Sequence, residues 1–203
     1  DPRGCLIESQ NTKLELYKPV WLNFVVALGS LMEADKKYIC KCLNADEMES
    51  FMFILFAQCM ETTVKNIDDH STKMKVLPAL HNILKNSLPI NNIFEDDIHS
   101  EFVGILDRLM IMGDNSERIL LIYIINDLVV GYTKQNKSHE SFLEGIDKLY
   151  ELLRLLLIPV GTILPFIKAS GAEAESADKI NVTDSDLSVL KLTFGVFESN
   201  VSC

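Results

Sequence analysis

The chain has little positive charge and few long apolar runs. Its 203 residues carry 19 Lys and Arg against 29 Asp and Glu, which gives a net charge of −10. A phosphate backbone favours clustered Lys and Arg, so nucleic acid is not expected as a partner. The longest uncharged apolar stretch covers residues 155–167 and contains two prolines. A membrane-crossing helix needs about 20 apolar residues, so no membrane span is expected.

The five cysteines have neither the spacing of a disulfide framework nor that of a zinc site. Cys40 and Cys42 are two residues apart, which on a helix separates their side chains by about 200°. This pattern favours reduced thiols and a cytoplasmic location. The complete set is Cys5, Cys40, Cys42, Cys59 and Cys203.

Three N-glycosylation sequons leave a second interpretation open. They begin at Asn136, Asn181 and Asn200, and such sequons mark surface positions in secreted proteins. The alternative is therefore a secreted or lumenal helical-bundle ligand with disulfides and N-glycans. A count of free thiols distinguishes it from a cytoplasmic protein.

Catalytic signatures are missing from the sequence. It contains no G-x-S-x-G, no G-x-G-x-x-G and no phosphate-binding loop. His70 follows Asp68 and Asp69, but it has no second His four residues away, as a zinc protease would require. We therefore predict no enzymatic activity, no cofactor and no metal site, and we interpret His70 as part of a solvated helix start.

Apolar residues recur at helical spacing along most of the chain, and strand-like alternation is scarce. We predict a helical-repeat domain over residues 1–168. Residues 169–186 hold five acidic residues and one Lys among small polar ones, which predicts an exposed acidic loop. The pattern of residues 187–197 fits either a helix or a strand. The preceding acidic residues favour a helix, so 187–203 is predicted to be a C-terminal helix packed on the last repeat.

Individual residues predict where helices begin, bend and end. Ser71 and Ser116 are predicted to open two helices. Pro78 is expected to bend the first of these or to delay its start. Gly131 is predicted to end the second. Another helix is expected over residues 138–157, before Pro159.

The sequence also contains an internal repeat. Residues 71–84 align with residues 116–129 at an offset of 45, and residues 46–55 align with 97–106 at an offset of 51. A helical hairpin of about forty residues cannot bury both of its faces alone, so such hairpins stack on copies of themselves.

Residues 76–84 (VLPALHNIL) resemble the inner helix of an armadillo repeat, and the chain resembles HEAT/armadillo α-solenoids over about residues 14–168. The resemblance implies an all-α, right-handed superhelix of three to four stacked helical hairpins. It also implies that Asn82 lines a concave groove and binds the backbone of a partner. Ser30 and Asp127 occupy the corresponding positions in the other repeats, so the ladder of Asn residues is interrupted.

The expected function is therefore that of a non-enzymatic protein-binding scaffold or adaptor, within a larger intracellular protein of the trafficking or transport type. A peptide segment or a helix from another protein is the expected partner on the concave face. The candidate partner-binding residues are Asn23, Ser30, Asn82, Lys85, Asn126 and Asp127.

Overall fold

The structure is a computed structural model that describes residues 23, 24, 26–31, 63, 68–86, 94, 96–135, 145–171 and 182–201. Every regular element in these ranges is helical, so the predicted all-α class is confirmed for this part of the chain. Residues 26–31 are helical and precede six longer helices. These are α1 (His70–Asn86), α2 (Asp96–Met112), α3 (Asn115–Gln135), α4 (Ile146–Leu155), α5 (Leu157–Gly171) and α6 (Asp184–Val201).

Helix α3 lies at the centre of the packing. Both α1 and α6 pack on it, as do α2 and α4, while α5 packs on α2, α4 and α6. The core between these helices is almost entirely aliphatic. Leu80, Leu106, Ile122 and Ile125 are completely buried in it. Each such side chain stabilises the fold by about 1.5–3 kcal/mol relative to an exposed position.

Helices α1 and α3 run parallel, because their contacts advance together along both sequences. His70 meets Glu117 near the start of both helices, and His81 meets Asp127 further along. The contacts of His70 and Lys73 with Glu117 join residues 47 and 44 positions apart. These separations bracket the offset of 45 that the sequence alignment predicts.

Helices α3 and α6 are parallel for the same reason. The Asn115 amide donates a hydrogen bond to Asp186 Oδ1 at 2.7 Å near the two N-termini. Further along, the Asn200 amide donates to Asn126 Oδ1 at 3.3 Å. Helices α1, α3 and α6 therefore form one layer of parallel helices, with α3 in the middle.

Helices α2 and α4 are the corresponding parallel pair of a second layer. His99 of α2 contacts Glu151 of α4, and Asp107 of α2 lies beside Leu155 and Ile158, at the α4–α5 junction. The chain thus alternates between two layers, since each helix of the second layer leads to the next helix of the first.

Two predicted helix starts are displaced. Helix α1 begins at His70 and is capped by Asp69, whose Oδ1 accepts a hydrogen bond from the Thr72 backbone N–H at 3.1 Å. The prediction that Ser71 is the cap is therefore wrong. A helix cap lies before the first helical residue, and Asp69 satisfies that condition.

The start of α3 is a capping box rather than the predicted Ser116 start. The Glu117 N–H donates to Asp114 Oδ1 at 2.9 Å, and the Asp114 N–H donates to Glu117 Oε2 at 3.3 Å. This reciprocal arrangement satisfies two of the N–H groups that a helix start leaves unpaired.

Proline and glycine interrupt the helices less than predicted. Helix α1 includes Pro78 and begins at His70, so the expected delay of its start is wrong. Helix α3 continues past Gly131 to Gln135, so the predicted end is wrong as well. One glycine costs a helix only about 1 kcal/mol, and the next residue, Tyr132, is buried.

Pro159 does divide two helices. Helix α4 ends at Leu155 and α5 begins at Leu157. Proline has no N–H to donate to the carbonyl four residues earlier, which here is that of Leu155, and its ring crowds the same carbonyl. The interruption is slight, because Leu156 keeps right-handed helical angles (φ −67°, ψ −16°).

The structure bears on only parts of the remaining predictions. Helix α5 continues to Gly171 and α6 begins at Asp184, so both ends of the predicted 169–186 loop are helical. Residues 172–181 lie outside the described residues, as do the five cysteines, Asn136, Asn181 and residues 136–144. Helix α6 confirms the helical interpretation of 187–197. Among the described helices, none has the length and apolar content needed to cross a bilayer.

Candidate functional site

The candidate partner-binding residues lie on the first layer or on the helical segment that precedes it. Two belong to α1, two belong to α3, and two precede α1. None of these side chains is buried. The exposed ones are Asn23, Ser30 and Lys85, and the half-buried ones are Asn82, Asn126 and Asp127.

The segment 26–31 packs closely on α1. A Cβ atom added to Gly29 would lie 3.0 Å from the Cα atom of Ala79, so glycine permits this close approach of two backbones. Ser30 does not contact α1 through its hydroxyl, which donates to the Val26 carbonyl of its own helix at 3.0 Å.

His81 connects the middle of α1 to α3. Its Nδ1 lies 2.8 Å from Asp127 Oδ2, and the two side chains are 19% and 17% exposed. The atoms are close enough for an ion pair but lack the alignment of a hydrogen bond. The imidazole ring also stacks on Tyr123, with ring centroids 5.2 Å apart and an interplanar angle of 29°. Tyr123 is therefore held in place while 39% of its surface remains exposed.

Tyr123 is a functional candidate that sequence reasoning missed. It lies three and four residues before Asn126 and Asp127, which places all three on one side of α3. That spacing was the available signal. We call the surface formed by Asn82, Lys85, Tyr123 and Asp127 the α1–α3 face.

Asn126 contributes to a contact within the protein. Its side-chain oxygen accepts a hydrogen bond from Asn200 of α6, whose amide also donates to the Val196 carbonyl at 2.8 Å. Asn126 thus helps to align α3 and α6, while Asp127 aligns α3 with α1. The polar residues predicted for partner contacts also bind neighbouring helices.

The α1–α3 face combines a fixed aromatic ring with polar side chains of both signs. Interfaces between proteins are enriched in tyrosine, because it supplies a large contact area at a low cost in conformational entropy. Neighbouring helices hold Tyr123 and Asp127 in position, so their ordering on binding is inexpensive. The chemistry of this face suits recognition of a polar peptide or helix.

A second polar cluster joins the N-terminus of α1 to the turn between α2 and α3. His70 Nδ1 lies 2.8 Å from Glu117 Oε1 and 3.0 Å from Asp114 Oδ2. Lys73 Nζ lies 2.7 Å from Glu117 Oε2, and both of those side chains are buried. The acids beside His70 in sequence gave no sign of this arrangement, since its partners come from a helix more than forty residues away.

The donor atoms of His70, Asp114 and Glu117 all lie within 4.8 Å of one another, a distance suited to a metal ion. The chemistry of the cluster does not favour one. The ammonium of Lys73 already neutralises the buried Glu117 carboxylate, and His70 is 57% exposed. We interpret the cluster as an ion-pair network that fixes α1 against α3.

A buried histidine occupies the junction of α2 and α4. His99 Nε2 lies 3.1 Å from Glu151 Oε2, and its side chain is 3% exposed. Its ring stacks on Phe94 with centroids 5.7 Å apart, and Lys148 Nζ donates to the Phe94 carbonyl. These contacts hold the second layer together rather than forming a reactive centre.

A shallow groove of about 270 Å³ follows the junction of α4 and α5. It lies between α2 and the second layer's kinked helix, and its lining mixes aliphatic side chains with two charges of opposite sign. The lining residues are Asp107, Arg154, Leu155, Leu157 and Ile158. No convergent set of catalytic groups is found there.

Comparison with known proteins gives one informative relationship. No family model matches the chain, and no solved structure matches it. The chain is 56% identical over 200 residues to the AP-1 accessory protein LAA1 of Saccharomyces cerevisiae. The match covers 98% of this chain but only 10% of the yeast protein. The chain therefore spans about a tenth of the length of the curated relative that it matches.

Proposed function

We propose that this chain is a stacked-hairpin, α-solenoid segment of a cytoplasmic trafficking protein and that it binds the AP-1 adaptor complex through the α1–α3 face. It acts as a non-enzymatic scaffold. The observation that carries the proposal is the 56% identity to an AP-1 accessory protein over 98% of the chain. At that identity, the corresponding tenth of the yeast protein has the same core pattern and the same helices.

The arrangement of the helices supports the solenoid part of the proposal. Neighbouring helices within each layer are parallel, and the contacts between α1 and α3 join residues 44 and 47 positions apart. Parallel neighbours at one repeat length arise when each hairpin stacks on the previous one. In a simple up-and-down bundle, sequential neighbours would instead be antiparallel.

The α1–α3 face is the preferred binding surface because it combines rigidity with exposure. Tyr123 is stacked on His81 and Asp127 is paired with it. Lys85 is exposed on α1, one turn beyond His81. Ser30 and Asn23 extend the same layer on the N-terminal side and remain candidates for contact.

One observation weighs against the secreted helical-bundle alternative. The Asn200 amide nitrogen donates to the Val196 carbonyl and to Asn126. A glycan on that nitrogen would disrupt both contacts and separate α6 from α3. The sequon at Asn200 is therefore better explained by helix pairing than by glycosylation.

Binding of the chain to purified AP-1 complex tests the proposal, with immobilised chain and measured Kd values. The exchange Tyr123→Ala is expected to weaken binding about tenfold, which corresponds to about 1.4 kcal/mol for a contact near the centre of an interface. Asp127→Ala and Lys85→Ala are expected to weaken it less.

Tyr150→Ala is the matched control, because Tyr150 is 69% exposed on α4 in the other layer. It should leave the affinity unchanged. Circular dichroism of each variant should match that of the wild type. No detectable binding to AP-1, or equal losses for Tyr123→Ala and Tyr150→Ala, would contradict the proposed function.

A further inference from the structure

An apolar stripe runs along the solvent side of α4 and α5. Its six residues follow one another at spacings of four, three, four, three and four, which is the pattern of a helix that packs against another helix. We call this stripe the α4–α5 seam. It consists of Ile146, Tyr150, Leu153, Leu157, Val160 and Leu164.

Four of the six seam residues are exposed. The exposed fractions are 44% for Ile146, 69% for Tyr150, 52% for Leu157 and 37% for Leu164. Leu153 and Val160 are half-buried against the core. Single exposed apolar residues are ordinary on protein surfaces, but a continuous row of them marks a surface that another molecule or segment covers.

The seam is continuous across the junction of α4 and α5. Leu156, the residue between the two helices, keeps right-handed helical angles, so the winding of α4 carries over into α5. At 1.5 Å per residue, the row from Ile146 to Leu164 is about 27 Å long. That length offers a partner helix about five turns of contact.

The seam points away from α2. Glu151, which contacts His99 of α2, lies five residues after Ile146 and therefore projects about 140° from it around the helix. Since α2 occupies one side of α4, the seam occupies the opposite side. It is the free lateral edge of the second layer, where the next parallel helix of that layer would lie.

We propose that the seam is the stacking face for a further helical hairpin of the same polypeptide, whose first helix lies parallel to α4–α5 just as α4 lies parallel to α2. The proposal rests on the stacked-hairpin part of the proposed function and not on AP-1 binding. Its support is the continuity of the layer, together with a relative of which this chain spans only about a tenth.

The chemistry of the edge describes the helix that fits it. That helix carries aliphatic residues at the same three- and four-residue spacing, facing the seam. Asp147 and Arg154 are exposed and flank the seam on its solvent side. A basic residue opposite Asp147 and an acidic residue opposite Arg154 complete the match.

Hydrogen exchange of residues 146–164 tests the proposal in two forms of the protein. One is this 203-residue chain, and the other is the chain together with the sequence encoded after Cys203. We expect at least about tenfold slower exchange in the longer form, because a stacked helix suppresses local opening. The double exchange Tyr150→Ala and Leu157→Ala should remove that protection and leave the shorter form unchanged.

Tyr123→Ala is the control variant, because it alters an exposed tyrosine on the other layer and should leave the added protection intact. Equal exchange of 146–164 in both forms would overturn the proposal, as would a gene that encodes nothing after Cys203. Concentration-dependent dimers of the 203-residue chain that the double exchange abolishes would also overturn it, since the occupant would then be a second copy. Loss of AP-1 binding affects none of these readouts.

Discussion

The ammonium group of Lys73 lies 2.7 Å from the Glu117 carboxylate at a site where the two side chains are only 6% and 3% exposed. This pair connects α1 to α3 through the interior of the protein. Glu117 also accepts the Asp114 backbone N–H and contacts His70. One carboxylate therefore caps α3, fixes α1 and neutralises a buried cation.

Replacing Lys73 with Met should destabilise the protein by about 3 kcal/mol, because the Glu117 carboxylate is left buried without its cation. Urea denaturation at neutral pH measures the change. Lys75→Met is the matched control on the same helix, since Lys75 is exposed, and it should change stability by less than about 0.5 kcal/mol. Equal effects of the two exchanges would show that the ion pair contributes nothing specific.

Asp69→Ala should cost about 1 kcal/mol, because the Thr72 N–H at the start of α1 loses its acceptor. Asp69→Asn should restore most of the loss, since asparagine caps helices about as well. The adjacent exposed Asp68 provides the control, and Asp68→Ala should leave the thermal midpoint nearly unchanged. A larger effect at position 68 than at position 69 would be inconsistent with the observed cap.

Gly145→Ala should destabilise the protein by about 1–3 kcal/mol through overpacking. A Cβ at this position would overlap the hydroxyl group and ring of Tyr132. In contrast, Gly161→Ala should stabilise the protein by about 0.5–1 kcal/mol, because a Cβ there meets nothing within 4 Å and Gly161 lies within α5. Chemical denaturation of both variants measures the difference, and a neutral Gly145→Ala would argue against this close approach.

Asp186→Asn should destabilise the protein at neutral pH and lose its effect in acid. Hydrogen bonds from the Thr183 hydroxyl and backbone N–H, and then from the Asn115 amide, lower the pKa of the Asp186 carboxyl below its usual value of 3.8. A lowered pKa in the folded state gives stability that is present above the unfolded pKa and disappears as the pH falls through the folded one.

Denaturation of the wild type and of Asp186→Asn between pH 7 and pH 3 measures this dependence. The difference between them should be constant from pH 7 to about pH 5 and should shrink below about pH 4. Thr183→Val removes the first-named hydrogen bond and should reproduce part of the effect. A difference that grows as the pH falls would have the wrong sign for this explanation.

The helices were largely predictable because their information is local. The 3.6-residue spacing of apolar side chains and the 45-residue offset between 71–84 and 116–129 follow from the sequence alone. The errors fell at boundaries, where packing outweighs local preference. Gly131 was expected to end α3, yet the burial of Tyr132 beyond it keeps the helix intact.

The candidate site was predictable only in part. Helical spacing indicated that Asn82, Lys85 and Asp127 share a layer, but not that Asp127 meets His81 or that Tyr123 is stacked against it. Those pairings depend on how far α1 is shifted along α3. A shift of one turn, about 5.4 Å, would give each residue a different neighbour.

The sequence by itself determined that the chain is helical, acidic and repetitive, because composition and periodicity act within one or two turns. The tertiary structure decided which carboxylate Lys73 meets, which asparagine Asn200 binds, and which apolar row along α4 and α5 remains uncovered. These outcomes depend on the register between helices far apart in the chain, and that register is set by the shapes of the packed side chains rather than by any local pattern.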